Sequence, residues 1–265
     1  MTIERSRSLR RALGLLEALG TDEIVAAGGC GVTQLARVTG GEKSQVSRTL
    51  STLAGAGFVD RDLRTRQYRL GWQVFALAAR SGDQRLLSAA GPVLVRLVRE
   101  IGESSHLSVL RGAAVLTVLT ESPPRAVQAV SWVGRLTPAT STSSGRALLL
   151  DHDREQLAAM FGSNGWAAAI AKAPRDVDDL LQRIAVARVA GYARVEEESE
   201  PGLVAVAAPV RDAGGRIVAA VNVSAPRFRL GRSLVRAGAA VAVAAADLTA
   251  ALGRPAPKLM EEALA

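Results

Sequence analysis

The stretch from Gly31 to Leu70 limits the possible folds more than any other part of this 265-residue chain. It predicts a short helix over Thr33–Thr39, a tight break at Gly40-Gly41, a second helix opening at Lys43-Ser44, and then a basic hairpin. Val46, Leu50 and Leu53 recur at the spacing of one helical face and belong in a core. The other face carries Ser44, Gln45, Ser47, Arg48, Ser51 and Thr52, with Lys43 at its start. Short donors and acceptors of this kind suit base edges and phosphates in a major groove. Beyond the helix, Phe58–Arg61 and Gln67–Leu70 alternate as two strands would, with Arg64 and Arg66 at the tip between them. Cations there can reach phosphates or a minor groove. A polar helix face is usually just solvated, and a hairpin holding two arginines is usually just a hairpin. Two helices, a break of this length and a hairpin in this order form a rarer combination, a winged helix-turn-helix able to hold double-stranded DNA.

Charge agrees with that partner in sign and placement. The formal net charge is +8, and residues 1–80 hold 12 Lys and Arg against 7 Asp and Glu, while the other 185 residues hold 21 against 18. The excess of cations is therefore denser at the end that carries the hairpin, as a polyanion-binding module requires. A hydrophobic content of 48% supports full-sized cores, and the length suggests two domains. Cys30 is the sole cysteine, which excludes an intrachain disulfide and fits a reducing cytoplasm. With His106 and His152 the only histidines, a Cys/His zinc site is excluded, and no cofactor is expected. The polar, basic start from Met1 to Arg11 is no secretory signal. The apolar run Ala237–Ala246 is too short to span a bilayer, so a soluble, cytoplasmic protein with no membrane partner is expected.

Along the chain, a first helix is predicted over Ser8–Leu19, packing the core with Leu9, Ala12, Leu13, Leu16 and Leu19. A loop at Gly28–Gly31 follows. The DNA-binding domain is drawn at 1–71 and a linker helix at 72–84, whose apolar side suits either a dimer contact or packing between domains. Residues 85–254 form the second domain and 255–265 a frayed tail. In the second domain a helix is predicted over Leu86–Ile101, then strands at His106–Leu110 and Ala114–Glu121, and an alternating run at Val127–Val133. Helices are predicted at Gly145–Leu150, Arg154–Phe161 and Val177–Ala190, strands at Val204–Arg211 and Ile217–Ser224, and a last helix over about Ser233–Leu252. Hairpin-joined strands mixed with helices in this way indicate an α+β fold around an antiparallel sheet.

The second domain offers few candidates for chemistry. The hydroxyl run Thr140–Ser144 before Gly145 enters a helix, where backbone N–H groups either seat a carboxylate or phosphate or are satisfied by an ordinary serine cap. Asn222 and Ser224 share one face of a strand whose other face holds Val221 and Val223; such a polar pair meets solvent or lines a pocket. Glu196, Glu197, Glu198 and Glu200 resemble paired carboxylates, although a solvated or salt-bridged loop is the commoner fate of such a run. His106, in a strand, reads as packed or hydrogen-bonded rather than as a base. The chain lacks a G-x-S-x-G elbow, a phosphate loop and an H-E-x-x-H pair, so no catalytic residue is assigned. An enzyme acting through the second domain, or an architectural DNA binder with no effector, are the competing classes.

Several motifs, in one order, resemble the IclR-type bacterial transcriptional regulators. At the N-terminal end they are Ser8–Leu13 with Leu15–Glu17, Leu35–Arg37, Lys43–Leu50, Gly57–Val59 and Tyr68–Gly71. At the C-terminal end they are Gly134–Pro138, Ser144–Leu149, Gly191-Tyr192, Glu197-Glu198 with Pro201-Gly202, Ala207–Val210, and Gly215 through Pro226. The resemblance implies a winged helix-turn-helix followed by a GAF-like effector domain, working on a palindromic operator as a homodimer or a dimer of dimers. It further implies a small-molecule effector, often a carboxylate or aromatic acid, held by Ser143, Ser144 and Gly145 through backbone donors and by Ala205, Asn222 and Ser224. Val195 and Ala205 fall where the family often has an acidic residue and can have a cysteine, and Asn222 stands where well-known members have serine.

Overall fold

The computed structural model describes residues 7–78, 84–124, 132–162, 166 and 172–253. The chain divides into two compact units, 1–84 and 85–265. The predicted run at Val127–Val133, for the most part, and the frayed tail lie outside the described residues.

In the first unit, α1 (Arg7–Leu19), α2 (Asp22–Ala26), α3 (Val32–Thr39) and α4 (Lys43–Gly55) precede two short antiparallel strands, β1 (Val59–Arg61) and β2 (Tyr68–Leu70). The core joins Leu15, Leu19, Leu35, Val46, Leu50 and Val59, each at most 1% exposed. Leucines occur all around α1, and the core takes Leu15 and Leu19 with Leu16 at its edge, whereas Leu9 and Leu13, expected inside, remain exposed. The break between α3 and α4 is set at Gly40, whose φ of 65° is the left-handed cap that ends a helix without steric cost.

The Gly28–Gly31 loop is found between α3 and an unpredicted short helix, α2. Its role is structural: Cys30 exchanges two backbone hydrogen bonds with Tyr68, at 2.9 and 2.8 Å, and so bridges to β2 on the edge away from β1. Gly29, at φ +138°, passes so close that a Cβ would lie 2.9 Å from the Tyr68 carbonyl oxygen. Only glycine tolerates both conditions. After β2, α5 (Trp72–Ala78) buries none of its residues, and Trp72 meets Phe75 edge-on at 6.0 Å.

The second unit takes all but the first residue of α6 (Gln84–Ile101) and then builds β3 (Ser104–Arg111), β4 (Ala114–Glu121), β5 (Leu136–Pro138), α7 (Ser143–Leu148), α8 (Arg154–Phe161) and α9 (Val177–Ala190). It continues with β6 (Ala193–Glu196), β7 (Leu203–Arg211), β8 (Ile217–Pro226), a short α10 (Arg227–Leu230) and α11 (Leu234–Gly253). The six strands form one antiparallel sheet in the order β5-β4-β3-β8-β7-β6. Alternation divides the central strands between two cores. Leu107, Val204, Val206, Val221 and Val223 face α6 and α11, while Ala207, Ala220 and Ala193 join Leu149, Leu157, Leu180 and Ile184 on the side of α7, α8 and α9. The stretch Arg227–Gly253 is long and apolar enough to cross a membrane by length and composition, unlike the ten-residue run weighed in the sequence. Leu234, Ala237, Val241, Ala244 and Leu248 nevertheless pack it onto the sheet as a core helix.

Candidate nucleic-acid interface and ligand cavity

The polar side of α4 is arranged from its first residue. Glu42 caps the helix, its carboxylate accepting from the Ser44 and Gln45 backbone N–H groups at 3.1 and 3.3 Å and from the Ser44 hydroxyl. These hydrogen bonds, the Ser44 hydroxyl first, hold the Glu42 carboxyl below its ordinary range. The Thr52 hydroxyl donates back to the Arg48 carbonyl at 3.1 Å. Two of the expected contact residues, Ser44 and Thr52, therefore use their hydroxyls within the helix. Lys43, Ser47 and Arg48 stand exposed, Gln45 is half-buried, and none of the four forms an ion pair among the described residues.

The hairpin tip is preorganised. The Asp62 carboxylate accepts from the Arg64 and Thr65 N–H groups, both at 2.8 Å, and the Arg66 N–H closes onto the Asp62 carbonyl at 2.8 Å. Those backbone donors, Thr65 first, keep the Asp62 carboxyl ionised to lower pH than usual. Arg66 takes a left-handed φ of 58°, and Arg64 and Arg66 are both exposed. Arg61 is drawn over the Tyr68 ring at 5.5 Å and so supports the hairpin.

In the second unit, a cavity of 280 Å³ opens over the sheet beside α7. Ser143, Ser144, Ala205, Asn222 and Ser224 line it together with His106, Ser108, Thr117, Trp132 and Glu200. Antiparallel register sets Asn222 beside His106 on one side and Ala207 on the other, and Ala205 opposite Ser224, so the polar positions of three strands share one face. Asn222 is 9% exposed, and its Oδ1 has no hydrogen-bond partner; the Ser143 hydroxyl, 1% exposed, is in the same condition. Buried polar atoms left this way are uncommon in folded proteins, and these two belong to residues that line one cavity.

Gly145 does different work. Its N–H donates to the hydroxyl of the N-cap Thr142 at 3.2 Å, and it does not line the cavity. An added Cβ would lie 2.1 Å from the Ala139 carbonyl oxygen, so glycine allows α7 to seat against the preceding loop. Val195 is buried on β6, opposite Ala205, and is likewise not a lining residue.

His106 was not assigned to the cavity from sequence. Its Nδ1 pairs with the Thr120 hydroxyl at 2.9 Å and its Nε2 with the Ser224 hydroxyl at 3.2 Å. Burial pushes its pKa down to about 4, so the ring is neutral at physiological pH and one nitrogen donates while the other accepts. The signal was the strand alternation of His106 with Ser108, but the register with β8 that makes it meaningful is a long-range property.

The glutamate run is a salt-bridged loop. Glu198, buried, pairs with Arg146 at 2.5 Å and with Arg183 at 2.8 Å, and Arg146 also donates to the Arg194 carbonyl at 2.7 Å. Glu197, at a left-handed φ of 59°, takes Lys172, Arg227 at 3.0 Å and the Gly202 N–H at 3.2 Å. This network ties α7, which presents Ser143 and Ser144, to the loop that presents Ser199 and Glu200 to the same cavity.

Family models match both units: the IclR helix-turn-helix domain over residues 8–63 and the bacterial transcriptional regulator IclR C-terminal domain over residues 80–250. The chain belongs to the IclR family. IclR-family relatives include the HTH-type transcriptional regulator KdgR of Escherichia coli, 27% identical over 84% of this chain and 83% of the relative. The HTH-type transcriptional regulator BhcR of Paracoccus denitrificans is 30% identical over 84% of this chain and 79% of its own. Among solved structures, an IclR homologue from Microbacterium hydrocarbonoxydans complexed with 4-hydroxybenzoate superposes with a TM-score of 0.78 at 24% identity, covering 92% of this chain and 98% of that one. The relatives are named as transcriptional regulators and repressors, which makes this IclR-family chain a DNA-binding regulator and not an enzyme.

Proposed function

We propose that this regulator binds a palindromic operator as a homodimer or a dimer of dimers, acts in the cytoplasm, and changes its DNA affinity when a small molecule enters the cavity of the second unit. DNA contact is assigned to Lys43, Ser44, Gln45, Ser47 and Arg48 with Thr52 on α4 and to Arg64 and Arg66 on the wing; effector contact is assigned to Ser143, Ser144, Ala205, Asn222 and Ser224. The backbone N–H of Gly145, given to the effector on resemblance, is engaged by Thr142 and is assigned to positioning α7 instead.

The observation that carries the DNA half is the two-sidedness of α4: Val46 and Leu50 are fully buried while Lys43, Ser47 and Arg48 stand outside without ion-pair partners among the described residues. A rigid helix anchored on one side and unpaired on the other is what groove insertion needs. The test is an electrophoretic shift on DNA selected by the protein from genomic fragments. Arg48→Ala is expected to weaken binding by about 1–3 kcal/mol if it grips a guanine edge in bidentate fashion. Unchanged affinity would remove Arg48 from the interface.

A further inference from the structure

One side of α11 packs the sheet, and the other carries an ordered pattern of charged and apolar groups left bare among the described residues. Val235 and Val243 are 64% and 62% exposed, and Ala239 and Ala246, at the same helical spacing, are exposed with them. Phe228 on α10, 85% exposed, shares a groove with Arg232 just ahead of the helix. Arg232 and Arg236 stand exposed and form no ion pair among the described residues, whereas Arg227 is held by Glu197 at 3.0 Å and Arg229 by Glu103 at 2.9 Å. Glu100 lines a shallow cleft with Arg236 without closing an ion pair on it. Further along, Asp247 remains 51% exposed although Arg96 reaches it.

We propose that residues 258–264 of the same chain, which follow α11 and lie outside the described residues, run back along this face and clasp it. Three properties of the segment fit it to that seat.

The first is direction and reach. Pro255 and Pro257 cannot continue the helix, and each steers the residue before it to extended backbone. At a rise of about 1.5 Å per residue, Arg236 lies about 26 Å back from Gly253. At about 3.3 Å per residue, Glu261 and Glu262 can travel about 26 and 30 Å from the same point, and side chains on both sides supply the margin.

The second is the order of charges. Read back from Gly253, the helix presents Asp247, then Arg236, then Arg232. Read forward, the segment presents Lys258, then Glu261 and Glu262, opposite signs in the same order. The third is apolar content: Leu259 and Met260 precede the glutamates, where Ala239 and Val243 lie beneath, and Leu264 follows them, toward Phe228. Exposed ion pairs contribute little each, but a tethered segment is present at an effective concentration in the millimolar range, so weak contacts suffice. The match to the IclR C-terminal domain ends at residue 250, which makes the clasp a property of this chain rather than of that domain. Closed, it covers an apolar face that would otherwise invite association.

Hydrogen exchange of the full-length protein, read by mass spectrometry, tests the clasp against a free peptide of residues 254–265. The amides of 259–264 are expected to exchange about threefold more slowly than in the peptide, or slower still. Reversing both glutamates, Glu261→Lys with Glu262→Lys, or both arginines, Arg232→Glu with Arg236→Glu, is expected to return them to the peptide's rate. Joining the two reversals is expected to restore the slowing. Salt at about 1 M, where the Debye length falls to about 3 Å, is expected to act as either reversal does. Peptide-like rates in the parent protein overturn the proposal, as does slowing that survives either reversal. Slowing that vanishes on dilution gives the face to a second copy and overturns it as well. Should the arginine reversal loosen α11 itself, seen as faster exchange along its buried side, the glutamate reversal, which leaves the helix untouched, decides alone.

Discussion

His106 shows how a single side chain is governed by its surroundings. In the unfolded chain its pKa is near 6.5, whereas burial lowers it to about 4 in the fold. A base whose folded pKa is depressed binds fewer protons folded than unfolded across that window, so its contribution is complete above pH 6.5 and declines as pH falls toward 4. The shift corresponds to roughly 3 kcal/mol between those limits. His106→Gln is therefore expected to flatten the pH dependence of stability between 6.5 and 4, measured by urea denaturation at a series of pH values. Paired carboxylates such as Asp62 and Asp179, held below their ordinary values by hydrogen bonds, stay ionised over most of that window and leave the difference to His106. A variant with the parent's slope would show that the ring is solvated.

At the scale of elements, what the sequence revealed depended on whether an element's signal was local. Arg154–Phe161 and Val177–Ala190 match their predicted bounds because their ends are written in side chains: the Asp153–Gln156 capping box starts one, and Gly191 in the left-handed region ends the other. Asn222 and Ser224 fell on one strand face for the same reason, since alternation is a local rule. The strands β5 and β6 were missed because three residues ending in Pro138 and four ending in Glu196 hold one β-branched residue each, Thr137 and Val195, too weak a local signal; pairing with β4 and β7 makes them strands. The Cys30–Tyr68 rung and the Arg146–Glu198 pair were invisible for a related reason, each being a meeting of distant segments. That ion pair also yields a prediction. With side chains 4% and 9% exposed, it is buried enough that removing one partner leaves the other charge uncompensated. Glu198→Leu is expected to lower stability by about 3–5 kcal/mol, and adding Arg146→Met is expected to restore much of that loss, because an apolar pair replaces a stranded cation. Equal instability of the single and double variants, in denaturant unfolding, would contradict this account.

At the scale of the whole molecule, the proposed operator complex sets a chain of net charge +8 against a strongly anionic duplex. Only the groups that displace counterions contribute to salt dependence, and each phosphate contact adds about 0.9 to the slope of log affinity against log salt. Replacing both Arg64 and Arg66 by glutamine is thus expected to reduce that slope by about 2, leaving sequence preference largely intact, since phosphate contacts position and base contacts specify. Two-fold assembly adds a geometric demand that no single chain can meet. If two copies each place one α4 in a major groove on the same side of the duplex, their half-sites must be separated by whole helical turns of about 10 base pairs. Inserting five base pairs between the half-sites rotates one of them by half a turn and is expected to abolish tight binding, while inserting ten restores it to the extent that the distance can still be bridged. Binding insensitive to the five-pair insertion would mean that each copy holds its half-site alone, and the cavity would then have to act on DNA affinity within one chain rather than through the spacing of two.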